Sequence, residues 1–258
     1  MKKGKKILII LLIIFLVILI LVSIGLFLYN KKQNDIEKQK QEAILNAEEN
    51  FKNLFLNLEY TENKNEAITL AYEMEKSEVN KYEVDVNVPM INIESDTAKT
   101  VNDEINNLFG KKLLDVVKNS TVYTKYTVDY IAYTNNNIMS LIIKATLKEG
   151  SNPQRLIVQT YNYNLEDNTI ISLQQYMELN NIDKNSVQSQ IINYIRQRSE
   201  NTNTELAQEY NIFVRDVRSE EYLIENIKNY YIGQDGNLYI VFAYGNNNFT
   251  ETADIVII

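Results

Sequence analysis

The sequence predicts an α+β fold: a mostly antiparallel sheet with helices on one face, preceded by an N-terminal transmembrane helix and juxtamembrane helices. Three observations lead there. An apolar run stands near the N-terminus, Ile7 to Tyr29, broken only by Ser23 and Gly25. A charged stretch with helical spacing follows it. Beyond Lys81, segments that alternate apolar and polar residues are interleaved with segments of helical period, the pattern of strands and helices sharing a core.

As a helix the apolar run would span roughly 34 Å, enough for a bilayer core of about 30 Å. Lys2, Lys3, Lys5 and Lys6 precede it. The positive-inside rule therefore places residues 1–6 in the cytoplasm and the chain after residue 30 outside the cell membrane. The run is longer than a signal-peptide core and lacks a small-residue cleavage site, so a single-pass, uncleaved signal anchor bounded by Ile7 and Tyr29 is expected. Residues 30–80 read as a juxtamembrane helical segment. Within it Ile44, Ala47, Phe51, Leu54 and Leu58 follow heptad a and d spacing. Two heptads do not hold a coiled coil in water alone. Two readings follow: the stripe docks on its own domain, or Phe51, Leu54 and Leu58 pair with a second copy into a homo-oligomer. A second helix, Asn65 to Lys76, is expected to bury Ala67, Ile68, Ala71 and Met74.

Residues 81–258 read as an extracytoplasmic α+β domain. Val84, Val86 and Val88 alternate with Asp85 and Asn87, and Pro89 marks an edge or an end. Ser95 or Asp96 caps a helix with Val101, Ile105, Leu108, Phe109 and Val116 inward; Gly110 is its weak point. A hairpin turns at Asn135-Asn136-Asn137, residues that tolerate positive φ. Its first strand buries Val122, Tyr126, Val128 and Tyr130, its second Met139, Leu141, Ile143 and Ala145. A third strand, Arg155 to Leu165, ends in the turn Glu166-Asp167-Asn168. Ser186 is the expected cap of a helix with Val187, Ile191, Tyr194 and Ile195 inward, and Arg196 and Arg198 complement its C-terminal dipole. Short helices are expected over Thr204–Tyr210 and Ser219–Asn226. Strands Tyr230–Ile232 and Leu238–Tyr244 flank the hairpin signal Asp235-Gly236, and Ile255–Ile258 forms the last strand.

Composition excludes much chemistry. The 258 residues contain no Cys, no His and no Trp. Disulfides, thiol nucleophiles, His-based triads and the usual zinc ligands are therefore out of reach. Neither a nucleophile elbow nor a phosphate-binding glycine loop occurs among the seven glycines, so neither enzymatic activity nor a cofactor is expected. The neighbouring pairs Glu73/Glu75 and Glu220/Glu221 read as solvated faces. Net charge is −8 overall, and the first 30 residues carry four lysines and no acid, which leaves −12 beyond them. That charge argues against nucleic acid as a partner. Heavy use of Asn, Ile and Lys fits an AT-rich, Gram-positive bacterial genome. Tyrosine is the unusual resource, with 18 copies. It gives rigid amphipathic contact area, and Tyr161, Tyr163 and Tyr244 are the candidate ligand contacts; the alternative is that most strand tyrosines are half-buried sheet residues with a wet hydroxyl.

Four segments, Ile93–Gly110, Tyr130–Leu147, Leu156–Leu173 and Asn229–Tyr244, carry a family resemblance. Their markers are Thr100-Val101-Asn102-Asp103-Glu104-Ile105-Asn106, the strand Met139–Ile143, the phrase Ile170-Ile171-Ser172-Leu173-Gln174-Gln175-Tyr176, and Gly236–Phe242. In this order they resemble the exported domain of RsiV-type anti-sigma factors and the N-terminal domain of PdaC-type peptidoglycan deacetylases, over roughly residues 81–258. The resemblance implies an α+β binding domain. Where those families commonly carry a His-containing loop, this chain has Glu149-Gly150-Ser151-Asn152-Pro153-Gln154, and their Pro-Tyr is here Ala243-Tyr244. Those departures leave the family's recognition of lysozyme open. Residues 1–6 are expected to be too few to bind a sigma factor, and no deacetylase domain is expected. The expectation is a membrane-anchored, extracytoplasmic binding or sensing module of the cell envelope, whose ligand is a secreted protein or a cell-wall fragment. The alternative is a structural subunit that self-associates through its juxtamembrane helix.

Overall fold

The computed structural model describes residues 15–16, 18–34, 47–56, 66–200 and 213–258. The chain divides into two compact units, Met1–Asn46 and Ala47–Ile258. In the first, residues 18–34 form a helix, α1. The large apolar side chains described from Phe15 to Tyr29 are all exposed, from 48% at Leu19 to 68% at Phe27. Among the described residues no helix is long and apolar enough to cross a membrane. Ile7 and residues 1–6 lie outside the described residues, as do Ile44, Leu58 and the expected helix Thr204–Tyr210.

The second unit is α+β, with a mixed sheet of six strands and a further sheet of three. The first sheet has the order β1 (Ile68–Glu78), β2 (Tyr82–Ile91), β3 (Thr124–Asn135), β4 (Ile138–Glu149), β5 (Arg155–Asn164) and β6 (Thr169–Ile170). Its pairs are antiparallel except β2 with β3. That parallel pair is joined by α3 (Asp96–Ile105), a π-turn (Asn106–Gly110) and α4 (Lys111–Asn119), since a parallel connection needs a crossover. The second sheet has the order β7 (Tyr230–Ile232), β8 (Leu238–Ala243) and β9 (Ala253–Ile257).

The alternation read from sequence sets the layers. Val84, Val86, Val128, Leu141 and Ile143 face α3 and α4, where Val101, Ile105, Phe109, Leu113 and Val116 complete one core. The opposite face presents Ile131, Ile142 and Val158 to Tyr231, Val241 and Ile255 of the second sheet. The outer face of the second sheet packs on α5 (Leu173–Leu179) and α6 (Lys184–Glu200), burying Tyr176, Val187, Ile191 and Ile195 with Ile232 and Ile240. Helices thus cover two sheet faces, not the single one expected. α2 (Ala47–Leu56) enters the interface between the sheets through Phe51 and Phe55.

Local deviations have identifiable causes. The helix expected at Asn65–Lys76 is strand β1, so residues 30–80 are not helical throughout. Ala67, Ile68, Ala71 and Met74 happen to fall at helical spacing, but the edge of β2 supplies the backbone partners. A bulge between Leu70 and Tyr72 then aligns Tyr72 and Met74 with Val88 and Val86. The π-turn advances the helix phase, so Leu113 turns inward while Leu108 is exposed. A Cβ at Gly110 would displace the Tyr72 hydroxyl and the Asn106 side chain. Strand β3 begins at Thr124, which leaves Val122 exposed. Ser95 caps α3, accepting from Ala98 N at 3.0 Å. In α6 the capping acceptor is Asp183, which takes the Ser186 N–H at 2.8 Å, rather than Ser186. The segment Ser219–Asn226 forms two 3₁₀ turns, Glu220–Tyr222 and Ile224–Asn226, in place of one helix.

The outer edge of β5 is the point on which the layers meet. β6 pairs only with Tyr163 and Asn164, so the backbone upstream needs other partners. Side-chain amides supply them. Asn246 accepts from Val158 N at 2.9 Å and donates to Val158 O at 2.9 Å, as a neighbouring strand would. Asn229 accepts from Thr160 N at 3.0 Å, and Leu156 N donates to Thr250 O at 3.0 Å. Gly245 lies so close to β5 that a Cβ would strike the Leu156 backbone and Thr250 O. Gly245→Ala should therefore destabilise the domain by about 3 kcal/mol or more. Asn246→Ala should cost about 1–3 kcal/mol, because both Val158 groups lose their partner. Urea unfolding measures both, and a loss below about 0.5 kcal/mol for each would show that the seam bears no stability.

Candidate functional site

The buried charged residues among those described, Arg215 and Asp254, meet between β9, α6 and the segment 213–216. Strand alternation places the acid: Ala253 and Ile255 turn toward the interface between the sheets, which sends Asp254 to the other side with Val256. Asp254 is fully buried and Arg215 nearly so. Arg215 grips the carboxylate with two bonds, Nε to Oδ2 at 2.5 Å and Nη2 to Oδ1 at 2.8 Å. Tyr244 donates to Oδ2 at 2.6 Å, and Arg198 Nε lies 3.5 Å from Oδ1. The Tyr222 and Tyr244 hydroxyls are 2.8 Å apart, and the Phe213 ring stacks on Tyr244 with centroids 4.0 Å apart.

This arrangement fixes a buried carboxylate between two arginines and a tyrosine. Oδ2 accepts from Arg215 and Tyr244, and Oδ1 accepts from Arg215 with Arg198 within ion-pair distance. Burial, followed by the Asp254 charge, holds the Tyr244 phenol far above its ordinary range, and burial does the same for Tyr222. Arg198 and Arg215 also line a pocket of ≈ 340 Å³ with Phe51, Lys52, Phe213 and Glu251. Asp254 already engages both of these arginines, so their charge is paired within the domain.

The tyrosines singled out from sequence are not a ligand surface. Tyr161 and Tyr163 are buried on the face of β5 that meets α3 and α4, whereas Tyr244 is buried beyond the second sheet. Tyr163 donates to Asn168 Oδ1 at 3.2 Å and lies 2.8 Å from the Ser95 hydroxyl, tying β5 to the α3 cap. The Tyr161 hydroxyl is buried without a hydrogen bond of ordinary geometry. Its pKa is raised by burial and then by the Glu104 carboxylate. Only Tyr244 joins the polar centre. Aromatic area serves the core instead: Tyr231 stacks on Tyr239 at 4.7 Å, and Phe51 lies 6.3 Å from Tyr231.

Of the proposed self-association stripe, Leu58 lies outside the described residues. Phe51 is 2% exposed within its own domain and Leu54 is half-buried, so the docked reading of this helix holds and Phe51 is not on offer to a second copy. Tyr29 is exposed on α1. Sequence reasoning missed Arg215 and Asp254. The available signal was one acid inside the apolar run Ala253-Asp254-Ile255-Val256, since a charge on a buried strand demands a buried partner.

No family model and no curated protein matches the chain. Solved structures with a similar chain course include a DUF3298 family protein from Pseudomonas aeruginosa PAO1, 8% identical, with a TM-score of 0.43 over 74% of this chain and 86% of that one. Another is a member of the DUF3298 family from Bacteroides fragilis, 9% identical, with a TM-score of 0.36 over 74% of this chain and 90% of that one. Both stand in a coarse relation to the RsiV/PdaC-type domain. Similarity at this level says nothing about what the chain binds.

Asp254→Ala should cost about 3–5 kcal/mol in urea unfolding, because it removes the carboxylate that the buried Arg215 grips with two bonds. Tyr244→Phe should cost only about 1–2 kcal/mol. Equal, small losses would mean that the centre is solvated.

Proposed function

We propose that this chain is a single-pass, membrane-anchored, extracytoplasmic binding module of the bacterial cell envelope, without catalysis of its own. The single observation that carries the reading is the apolar run Ile7–Tyr29 with lysines before it and an acidic folded domain after it. The exposed apolar side chains of α1 fit the same reading, since lipid is the solvent such a surface calls for. The domain has no His or Cys to do chemistry with, and its buried carboxylate is already engaged by Arg215 and Tyr244. Its ligand is a secreted protein or a wall fragment.

Protease added to intact protoplasts should digest the domain while the anchor stays with the membrane. Full-length protein in detergent should then capture a saturable ligand from wall digests or secreted proteins. Protection of the domain, or release of the mature chain into the medium, would contradict the anchoring. Capture of nothing from either source would contradict the binding role.

A further inference from the structure

Strand β1 is the long outer edge of the six-stranded sheet, and among the described residues no strand pairs with its far side. From Tyr72 to Glu78 its register with β2 runs unbroken for seven residues. Such an edge presents a row of unpaired N–H and C=O groups, and an added strand can take them up. The side chains beside the edge are sorted by face. Tyr72 and Met74 are half-buried on the α3 side, with Leu70 exposed beyond the bulge. On the other face Glu73 and Glu75 are exposed, and Glu75 stands directly opposite Asp85, also exposed. A like-charge pair directly across two strands lowers stability; Lys125 of β3 offsets the Asp85 side of it, and the Glu75 side at the edge faces no cation from β2. A cation delivered beside β1 would relieve it.

We propose that β1 binds an extended peptide by strand addition, and that the peptide alternates Lys or Arg with apolar residues. Its basic side chains lie over Glu73 and Glu75, and its apolar ones continue the row made by Tyr72 and Met74. Charge disfavours a second copy in the registers that use most of this run. Antiparallel self-pairing centred on Met74 or on Glu75 keeps each face on its own side and sets Glu73 against Glu75, or Glu75 against itself. The inference deepens the binding-module reading and rests on it, by naming a protein ligand and where it docks.

The test uses the full-length chain in detergent micelles and a fluorescent synthetic peptide alternating Lys and Val. Anisotropy should show saturable binding, and hydrogen exchange should slow at amides within 72–78. Binding should weaken about tenfold or more for Glu73→Gln/Glu75→Gln, a loss of about 1.4 kcal/mol or more. It should vanish for a peptide N-methylated at alternate residues and for one alternating Glu and Val. Both substituted glutamates are exposed, so the fold is retained. No saturable binding, unchanged binding by the double variant, or tight binding with no slowed exchange at 72–78 would overturn the proposal. If the double variant still captures its natural ligand from secreted proteins or wall digests, only this docking site falls and the binding-module reading stands.

Discussion

The backbone of Val158 and Thr160 has to be hydrogen-bonded somewhere, and how that is done decides the shape of the domain. β5 is covered on one side by β4, but β6 pairs with only its last two residues. An exposed edge would leave it solvated and the two sheets unlinked. Asn246 and Asn229 reach across from the second sheet and stand in for a missing strand. Behind them runs a buried chain of partners: Ser140 donates to Asn162 at 2.6 Å, Asn162 donates to Tyr230 O at 2.7 Å, and Ile232 N donates to Ser140 at 2.9 Å. Each member is satisfied. A buried polar network in that state fixes one register, where a purely apolar interface would allow several.

That fixed register explains the rest of the packing. With the sheets pinned along β5, their facing surfaces enclose an apolar layer into which Phe51 and Phe55 of α2 are wedged; Lys144 Nζ sits 4.4 Å from the Phe55 ring centroid. The outer face of the second sheet is then free to receive α5 and α6, and Asp254 is carried into reach of Arg215 and Arg198. The acid–arginine centre is thus a consequence of strand alternation in β9 once the sheets are locked.

Much of the fold was legible because local and tertiary preferences agreed. Asn136, Asn137, Asn168 and Gly236 all have positive φ, as turns built from Asn and Gly require. The Val84–Val86–Val88 alternation, the Ser95 cap and the Val187/Ile191/Ile195 stripe appear where their spacing placed them. The failures have a common character. β1 was hidden because its apolar residues match a helix until the bulge is known, and only β2 creates the bulge. Leu108 and Leu113 exchanged roles because one π-turn shifts the helix phase, which no periodicity count registers. The asparagines of the seam look like loop residues in sequence; their function depends on partners 69 and 88 positions away. Tyrosines 161, 163 and 244 were legible as special but not as buried, because one residue type serves both core and surface.

Residue-resolved hydrogen exchange at Val158 and Thr160 tests this account most directly. If side-chain amides close the β5 edge as a strand would, both amides exchange only with global unfolding, at rates matching central strand residues such as Leu141. Early exchange at Val158 and Thr160, with Leu141 still protected, would show an open edge and two sheets held by apolar contact alone.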